Sequence, residues 1–279
     1  MVKVRNRKGT DSKHRKKPFL WLGIALVLFT ITLFGAIRLI TLFSYPNEQS
    51  SPKAAIVDQL YLNYPNQYVT KEITQYLNDY GFQVDIYHDN DVTVDFYRNL
   101  AQHGYNLIII RSHSGTMGYE TNINEITGTY LFTTESYSSL RYPKEQISGE
   151  IAKASVDSGQ PSFFAVGPKF ITDSMKGKLD NTVVIIDGCS GLYSQDLANA
   201  FIVKGATAYL GWNNSVRLDY ADEATLNLIK NLCSDNAKVA KAVALTMSET
   251  GSDPESHATL NYYPKDIGNL SVRELTKTK

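Results

Sequence analysis

The chain has 279 residues, of which 43% are apolar, 11% aromatic and 20% charged, enough for one large or two small globular domains. This composition excludes a disordered chain and a collagen-like repeat, and two cysteines exclude a disulfide scaffold. The net charge of zero hides an uneven distribution. Residues 1–17 hold eight basic residues and one acidic residue, whereas residues 44–279 hold 19 basic and 27 acidic residues, a net charge of −8. Because phosphate backbones bind clustered cations, we expect no nucleic-acid partner for the acidic part.

Residues 18–37 (PFLWLGIALVLFTITLFGAI) contain no ionisable group. A helix of this length covers about 30 Å, the thickness of the hydrocarbon core of a bilayer, and Trp21 and Tyr45 suit its two interfaces. We therefore predict a transmembrane signal-anchor helix over residues 18–44. A cleaved signal peptide is the alternative, but its apolar region is about 7–15 residues long and ends in small residues, where this chain has Phe34. A buried core helix is a third possibility, which the preceding cations disfavour.

The flanking charges indicate the orientation of the chain. Cytoplasmic flanks of membrane helices carry an excess of Lys and Arg, so residues 1–17 are expected to form a basic cytoplasmic tail. Residues 45–53 (YPNEQSSPK) are polar and typical of a short linker. Residues 54–279 then form an extracytoplasmic domain. We expect a single-pass protein of the cell membrane that contacts the lipid bilayer through residues 18–44.

From residue 54 onward, short β-rich runs alternate with stretches of helical periodicity. Strands are predicted over residues 54–60, 82–87, 105–110, 182–187 and 206–212. Helices are predicted over residues 67–80, 94–103, 195–204, 220–232 and 237–250. Residues 112–181 are rich in Thr, Ser, Tyr and Gly and show only hairpin pieces, near 129–133 and 163–166. The alternation predicts an α/β fold, a three-layer sandwich with a mainly parallel central sheet covered by helices on both faces.

In such a sheet, functional residues lie at the carboxyl ends of the strands. His113 follows the strand predicted at residues 105–110, within the sequence RSHSG, and Cys189 follows the strand predicted at residues 182–187, within DGCSG. A thiol becomes a useful nucleophile beside an imidazole, which lowers its pKa and shuttles its proton. The neighbouring glycines let backbone N–H groups approach a reacting carbonyl. The pattern therefore favours a cysteine–histidine catalytic pair.

Each residue alone also has an ordinary structural explanation. A single cysteine at a strand end is usually a small buried apolar residue, and a single histidine in a turn is often a cap. The matched pair at two strand ends favours catalysis over these explanations. No phosphate loop, dinucleotide fingerprint or His-Glu-x-x-His motif occurs in the sequence, so no cofactor and no metal are predicted.

These motifs resemble those of the caspase-like cysteine peptidases, the group that contains caspases, metacaspases, legumain, clostripain and gingipains. In that group the catalytic histidine follows one central strand and the cysteine follows the next. The order of the two residues, the apolar runs LIII and VVII before them, and Gly188-Cys189 match this pattern. The sequence GATAYLGW at residues 205–212 is similar to the strand after the catalytic helix. The resemblance covers roughly residues 54–250 and rests on two short motifs.

The resemblance implies roles for four residues. Cys189 would be the nucleophile and His113 the general base and acid, while the backbone N–H groups of Gly115 and Cys189 would stabilise the oxyanion. Asp187 would line a substrate pocket for an Arg or Lys side chain, whose charge it complements; the alternative is that it caps the strand end. The chain departs from the group at Ser114, since most members have glycine directly after the histidine.

Two versions of the function follow. The first is a membrane-anchored cysteine endopeptidase that acts on a peptide or protein substrate through a His113/Cys189 dyad, cutting after Arg or Lys if Asp187 lines the pocket. The second is a catalytically inactive binding or sensing domain of the same fold, displayed on the outer face of the membrane. A structural surface protein is a weaker third version, suited by two glycosylation sequons (residues 213–215 and 269–271). The natural substrate, activation by cleavage or calcium, and the oligomeric state stay open.

Overall fold

The computed structural model describes residues 28–35, 51–119 and 122–277, without the side chains of residues 118–127. The chain divides into two compact units, Met1–Ser50 and Ser51–Lys279. The first unit is described only where it forms a short exposed helix, and the second is described almost throughout.

The helix of the first unit, α1, covers residues 28–35. Within the described ranges, no helix is both long enough and apolar enough to cross a membrane. The predicted cytoplasmic tail (1–17), most of the predicted anchor (18–44) and most of the predicted linker (45–53) lie outside the described residues.

The second unit contains two sheets. Its strands are, in chain order, β1 (Lys53–Asp58), β2 (Gln83–His88), β3 (Leu107–Arg111), β4 (Ser114–Tyr119), β5 (Asn122–Ser136), β6 (Ile151–Ala154), β7 (Phe163–Val166), β8 (Val183–Asp187), β9 (Ala208–Trp212) and β10 (Leu260–Tyr263). The central sheet has six strands in the order β10-β9-β8-β3-β1-β2. All of its pairs are parallel except that between β10 and β9. The prediction of a mainly parallel central sheet is therefore confirmed.

The second unit has seven α-helices within the described residues. They are α2 (Gln67–Tyr80), α3 (Val94–Asn99), α4 (Pro143–Ile147), α5 (Asp196–Val203), α6 (Leu218–Ile229), α7 (Val239–Thr250) and α8 (Val272–Leu275). All but α4, which contacts β6 of the second sheet, contribute buried residues to the two faces of the central sheet. Successive strand residues point to opposite faces. Ile109 and Ile185 therefore pack with the buried faces of α2, α6 and α7, whereas Ile110 and Ile186 pack with those of α3 and α5.

Helix α2 illustrates how the sequence sets these elements. Its N-cap is Asn66, whose side chain accepts a hydrogen bond from a backbone N–H of the first turn. Val69, Ile73 and Leu77 recur at helical spacing and are the buried residues of the helix. Gly81 ends it in the left-handed conformation, with φ of 109°. The predicted bounds of this helix agree with the structure.

The region predicted to be irregular folds into the second sheet, which is antiparallel and has the order β4-β5-β7-β6. Its long strand β5 pairs with β4 on one side and β7 on the other. Leu131 and Val166 join the hydrophobic cluster on the α3 face of the central sheet. The sequence analysis found only two pieces of this sheet, and it did not predict β10 at the edge of the central sheet.

Candidate active site

The carboxyl ends of strands β1, β3 and β8 lie next to one another along one side of the central sheet. Their last residues, Asp58, Arg111 and Asp187, are side by side in register. His113 comes two residues after the end of β3, and Cys189 comes two residues after the end of β8. The structure thus places His113 and Cys189 in neighbouring loops at the same edge of the sheet.

The imidazole of His113 packs against two aromatic rings. The ring of Tyr64 meets it edge-on, with centroids 5.7 Å apart and planes at 88°, and the ring of Phe132 lies 5.9 Å away. The backbone N–H of His113 donates to Oε1 of Gln59 at 3.0 Å. Burial, and then the charge of Arg111, lower the pKa of His113 below its ordinary value. The ring is therefore neutral near pH 7 and able to accept a proton.

Cys189 lies in a turn that packs tightly against the loop after β3. A Cβ atom at Gly188 would come within 2.3 Å of the carbonyl oxygen of Ser112, so only glycine fits there. Ser114 donates from Oγ to the carbonyl oxygen of Cys189 at 2.6 Å. Ser190 continues the turn with φ of 56°, in the left-handed region. The hydrogen bond of Ser114 therefore connects the loop after β3 to the loop after β8.

The thiol of Cys189 is free and half-buried. Its Sγ lies 3.4 Å from the carbonyl oxygen of Val216, to which it donates, and 3.5 Å from the backbone nitrogen of the same residue. Within the described ranges, no hydrogen bond joins this Sγ to the ring of His113. The segment that carries Val216 is fixed by Asp253, whose carboxylate accepts the backbone N–H of Arg217 at 2.9 Å. The thiol therefore contacts the loop after β9.

Behind the two loops, Arg111 is buried in a group of carboxylates. It donates from Nε and Nη2 to the carboxylate of Asp222 in α6, at 2.6 and 2.9 Å. It donates from Nη1 to Asp58 at 2.9 Å and from Nη2 to the carbonyl oxygen of Tyr64 at 2.9 Å. The three charged side chains are at most 5% exposed. Arg111 therefore joins the ends of β1 and β3, helix α6 and the loop after β1.

Asp187 is the fourth member of this group. It is 1% exposed, and its Oδ1 has no hydrogen-bond partner among the described residues. Burial, and then the neighbouring carboxylate of Asp222, raise the pKa of Asp187 well above its ordinary value, against the smaller opposing effect of Arg111. Since one guanidinium faces three carboxyl groups, burying all three as anions would leave an uncompensated charge. Asp187, predicted to line a substrate pocket, is buried in this group, where its raised pKa favours the neutral form.

The two predicted oxyanion donors are in different settings. The backbone N–H of Cys189 has no hydrogen-bond partner within the described part of the chain, so it is free to donate. Gly115 lies in β4, opposite Tyr130 of β5. A Cβ atom at Gly115 would have no neighbour within 4 Å. The N–H of Cys189 is therefore available, and the oxyanion roles of Cys189 and Gly115 both stay predictions.

The sequence analysis did not single out Gln59, Tyr64 or Val216, which contact the two central residues. Gln59 directly follows β1, Tyr64 lies in the loop after it, and Val216 follows β9. The rule that directed attention to the carboxyl ends of β3 and β8 applies equally to β1 and β9. That rule was the available signal, although it does not say which loop residues reach the site.

Comparisons with known proteins find similar solved structures but no similar sequences. No protein-family model and no curated protein sequence matches the chain. Among solved structures, the chain is similar to a complex of the pro- and mature domains of RgpB from Porphyromonas gingivalis. The identity is 12% and the TM-score is 0.49, over 83% of this chain and 51% of that chain. It is also similar to the Arg-specific cysteine proteinase gingipain R (RgpB), with 12% identity and a TM-score of 0.48, over 83% of this chain and 50% of that chain. The chain spans about half the length of these structures.

Proposed function

We propose that the chain is a caspase-like cysteine endopeptidase in which Cys189 is the nucleophile and His113 the general base and acid. The observation that carries this proposal is the position of the two residues in neighbouring loops, two residues beyond the paired ends of β3 and β8. Both residues are partly exposed, and the imidazole is neutral near pH 7. A thiol and a neutral base at one sheet edge are the minimum that acyl transfer requires.

The reaction uses few groups of the chain. His113 takes the proton of the Cys189 thiol, and the thiolate forms a C–S bond with the carbonyl carbon of the scissile peptide. The free N–H of Cys189 stabilises the resulting oxyanion, with the N–H of Gly115 as its predicted partner. The C–N bond then breaks as the imidazolium gives its proton to the leaving amine. Water, deprotonated by His113, hydrolyses the thioester and restores the thiol, releasing the carboxylic acid.

One movement must precede this reaction. Sγ of Cys189 contacts the backbone of Val216 rather than the ring of His113. Rotation of the cysteine side chain about χ1 changes its partner without any change in the backbone. We propose that substrate binding between the loops after β8 and β9 turns the thiol towards His113, because catalytic hydrogen bonds often tighten only in the substrate complex.

Cleavage after Arg or Lys is the finer part of the proposal. It follows from the sequence resemblance and requires that a substrate cation reach Asp187. The carboxyl group of Asp187 is buried beside Arg111, so a substrate cation would have to share or displace the guanidinium. We therefore include substrates with uncharged residues at the cleavage position in the test below.

The location of the enzyme is a proposal as well. The apolar run at residues 18–37 between a basic and an acidic part of the chain supports a signal anchor with the peptidase outside the cytoplasm. Glycosylation or protease accessibility of residues 51–279 in intact cells measures this orientation directly.

A second candidate function is a binding domain without chemistry. It is favoured by the contact of the Cys189 thiol with Val216, since a thiol that stays in this position does not meet its base. This candidate predicts that Cys189→Ala leaves ligand binding intact and that the wild-type chain cleaves nothing.

The deciding experiment is cleavage of a mixed peptide library by the full chain in detergent, with new termini identified by mass spectrometry. We expect cleavage by the wild type, none by Cys189→Ala, and undiminished cleavage by Cys233→Ala, the matched control at the other free cysteine. The residues before the cut report the specificity. No cleavage by the wild type, or equal cleavage by Cys189→Ala, contradicts the proposal.

A further inference from the structure

The ring of His113 lacks the polar partner that usually orients a catalytic imidazole. Within the described part of the chain, no hydrogen bond reaches either ring nitrogen, and only the backbone N–H of this residue is bonded, to Gln59. A base without an orienting partner samples several rotamers, and a misplaced base loses rate. Something other than a hydrogen bond must fix this ring if it is to serve as a base.

Two aromatic rings contact it instead. The edge-on contact with Tyr64 has the perpendicular geometry that favours interaction between aromatic rings. Phe132, from the second sheet, packs at 59°. Of these two, Phe132 is 8% exposed, whereas Tyr64 is 47% exposed. Phe132 therefore belongs to the core, and Tyr64 stands on the surface beside the imidazole.

Tyr64 is an exposed residue whose backbone N–H and carbonyl groups are both hydrogen-bonded. Its carbonyl oxygen accepts from Nη2 of Arg111 at 2.9 Å, and its N–H donates to the carbonyl oxygen of Leu60 at 2.8 Å. Arg111 in turn is held by Asp58 and Asp222. The arrangement fixes the backbone of Tyr64 relative to the end of β3, from which the histidine loop begins.

We propose that Tyr64, held by Arg111, is the positioning residue for His113, taking the place of a hydrogen-bonding partner. This inference rests on the proposed peptidase function, because it assigns Tyr64 a part in that reaction. Tyr64 acts through the imidazole, and its hydroxyl group has no part in the contact. The ring shields one side of the imidazole from water and restricts its rotation. The effect is expected in kcat, since a wrongly oriented base slows proton transfer without changing the binding of the peptide.

The test compares three variants of the full chain in detergent. Tyr64→Ala removes the ring, Tyr64→Phe keeps the ring and removes the hydroxyl group, and Tyr68→Ala is the matched control, a 67% exposed tyrosine in α2. Two properties are measured: the titration midpoint of the His113 ring by NMR, and kcat and KM for a peptide cleaved by the wild type. Unfolding in urea checks that each variant is folded.

For Tyr64→Ala we expect the midpoint of His113 to rise, because the ring loses part of its cover from water, and kcat to fall by about 10- to 100-fold at nearly constant KM. Tyr64→Phe and Tyr68→Ala should leave both properties as in the wild type. The inference is overturned if Tyr64→Ala leaves the midpoint and kcat unchanged, or if Tyr64→Phe matches Tyr64→Ala. If the wild type cleaves no peptide, the peptidase proposal fails, and the titration alone then decides whether Tyr64 fixes the imidazole.

Discussion

The same two strands, β3 and β8, end in two pairs of residues with opposite surroundings. Arg111 and Asp187, the last residues of the strands, are buried. Arg111 pairs with the carboxylates of Asp58 and Asp222, and Asp187 lies beside them. His113 and Cys189, two residues further on, are partly exposed and have few polar partners. In each of the two loops, a distance of two residues separates a buried residue of the ion-pair group from a partly exposed residue that is available for chemistry.

The difference shows how this edge of the sheet is divided between stability and chemistry. A buried charge is costly unless it is paired, and burial favours the neutral form of an unpaired carboxyl group. The inner pair, Arg111, which is paired, and Asp187, whose pKa is raised, therefore contributes to structure. A nucleophile and a base need unused bonding capacity and access to a substrate, and the outer pair has both. Changes in the inner pair should therefore act first on stability, and changes in the outer pair should act on reactivity at nearly constant stability.

The largest effect is expected for Arg111→Met. This change leaves the carboxylates of Asp58 and Asp222 buried without a counterion, and breaking such a group costs about 3–5 kcal/mol. Urea unfolding of the full chain measures the loss. The matched control is Arg217→Met, which removes an exposed ion pair with Asp219 and should leave the free energy of unfolding nearly unchanged. Similar losses in the two variants would contradict the conclusion that the ion pairs of Arg111 stabilise this part of the fold.

Gly188→Ala should lower both the free energy of unfolding and the reactivity of Cys189. The new Cβ atom would lie within 2.3 Å of the carbonyl oxygen of Ser112, so the two loops must separate, at a cost of about 1–3 kcal/mol. The rate at which iodoacetamide alkylates Cys189, measured by mass spectrometry, should fall as well. Gly115→Ala is the control, since a Cβ atom there has no neighbour within 4 Å. An equal loss of stability in the two variants would show that the loops are not packed as described.

A pH-dependent effect is expected for Asp187→Asn. Burial and the neighbouring Asp222 raise the pKa of Asp187 in the folded state, so the folded chain binds more protons than the unfolded chain above the ordinary carboxyl pKa of about 3.9. The free energy of unfolding therefore falls as pH rises from that value through the folded pKa. Asparagine imitates the neutral acid and removes this part of the slope.

Unfolding in urea at several pH values measures this slope for the wild type and Asp187→Asn. Asp58, whose pKa burial also raises, leaves a residual slope in both. A flatter dependence for Asp187→Asn, with its greatest gain at high pH, supports a neutral Asp187. A variant less stable than the wild type at every pH would mean that Asp187 is an anion that Arg111 needs.

The smallest effect is expected for Ser114→Ala, which removes the 2.6 Å hydrogen bond to the carbonyl oxygen of Cys189. The free energy of unfolding should fall by about 0.5–1.5 kcal/mol, and the labelling rate of Cys189 should change modestly as its turn loosens. Ser155→Ala, at an exposed hydrogen bond with Ser162, is the control. A stability loss no greater than that of Ser155→Ala would remove Ser114 as the connection between the loops.

Much of the central sheet could be predicted from the sequence, because its strands are short apolar runs and its helices repeat with a 3.6-residue period. The second sheet could not be predicted in the same way. Strand β5 (Asn122–Ser136) mixes Thr, Glu and Gly with apolar residues and pairs through register shifts, so no simple alternation marks it. Strand β10 (Leu260–Tyr263) has four residues, too few for a period to be recognised.

The candidate site was predictable in part. The positions of His113 and Cys189 follow from the apolar strands before them, but their surroundings depend on contacts between distant parts of the chain. Arg111 reads in the sequence as the charged end of a strand, and only the fold brings Asp222 to it from 111 residues away. In the sequence, Tyr64 is an ordinary loop tyrosine. Its contact with the imidazole depends on the position of that loop, which the hydrogen bond from Arg111 sets in the fold.

The central claim is that the imidazole of His113 activates the thiol of Cys189. Alkylation of the full chain by iodoacetamide at neutral pH, resolved for each cysteine by mass spectrometry, tests it most directly. Burial raises the pKa of the Cys233 thiol to about 12, so this cysteine is the internal reference for an unactivated thiol. We predict that Cys189 is labelled selectively and that His113→Ala slows its labelling by about 10-fold or more. Equal labelling of the two cysteines, or an unchanged rate in His113→Ala, would contradict the account.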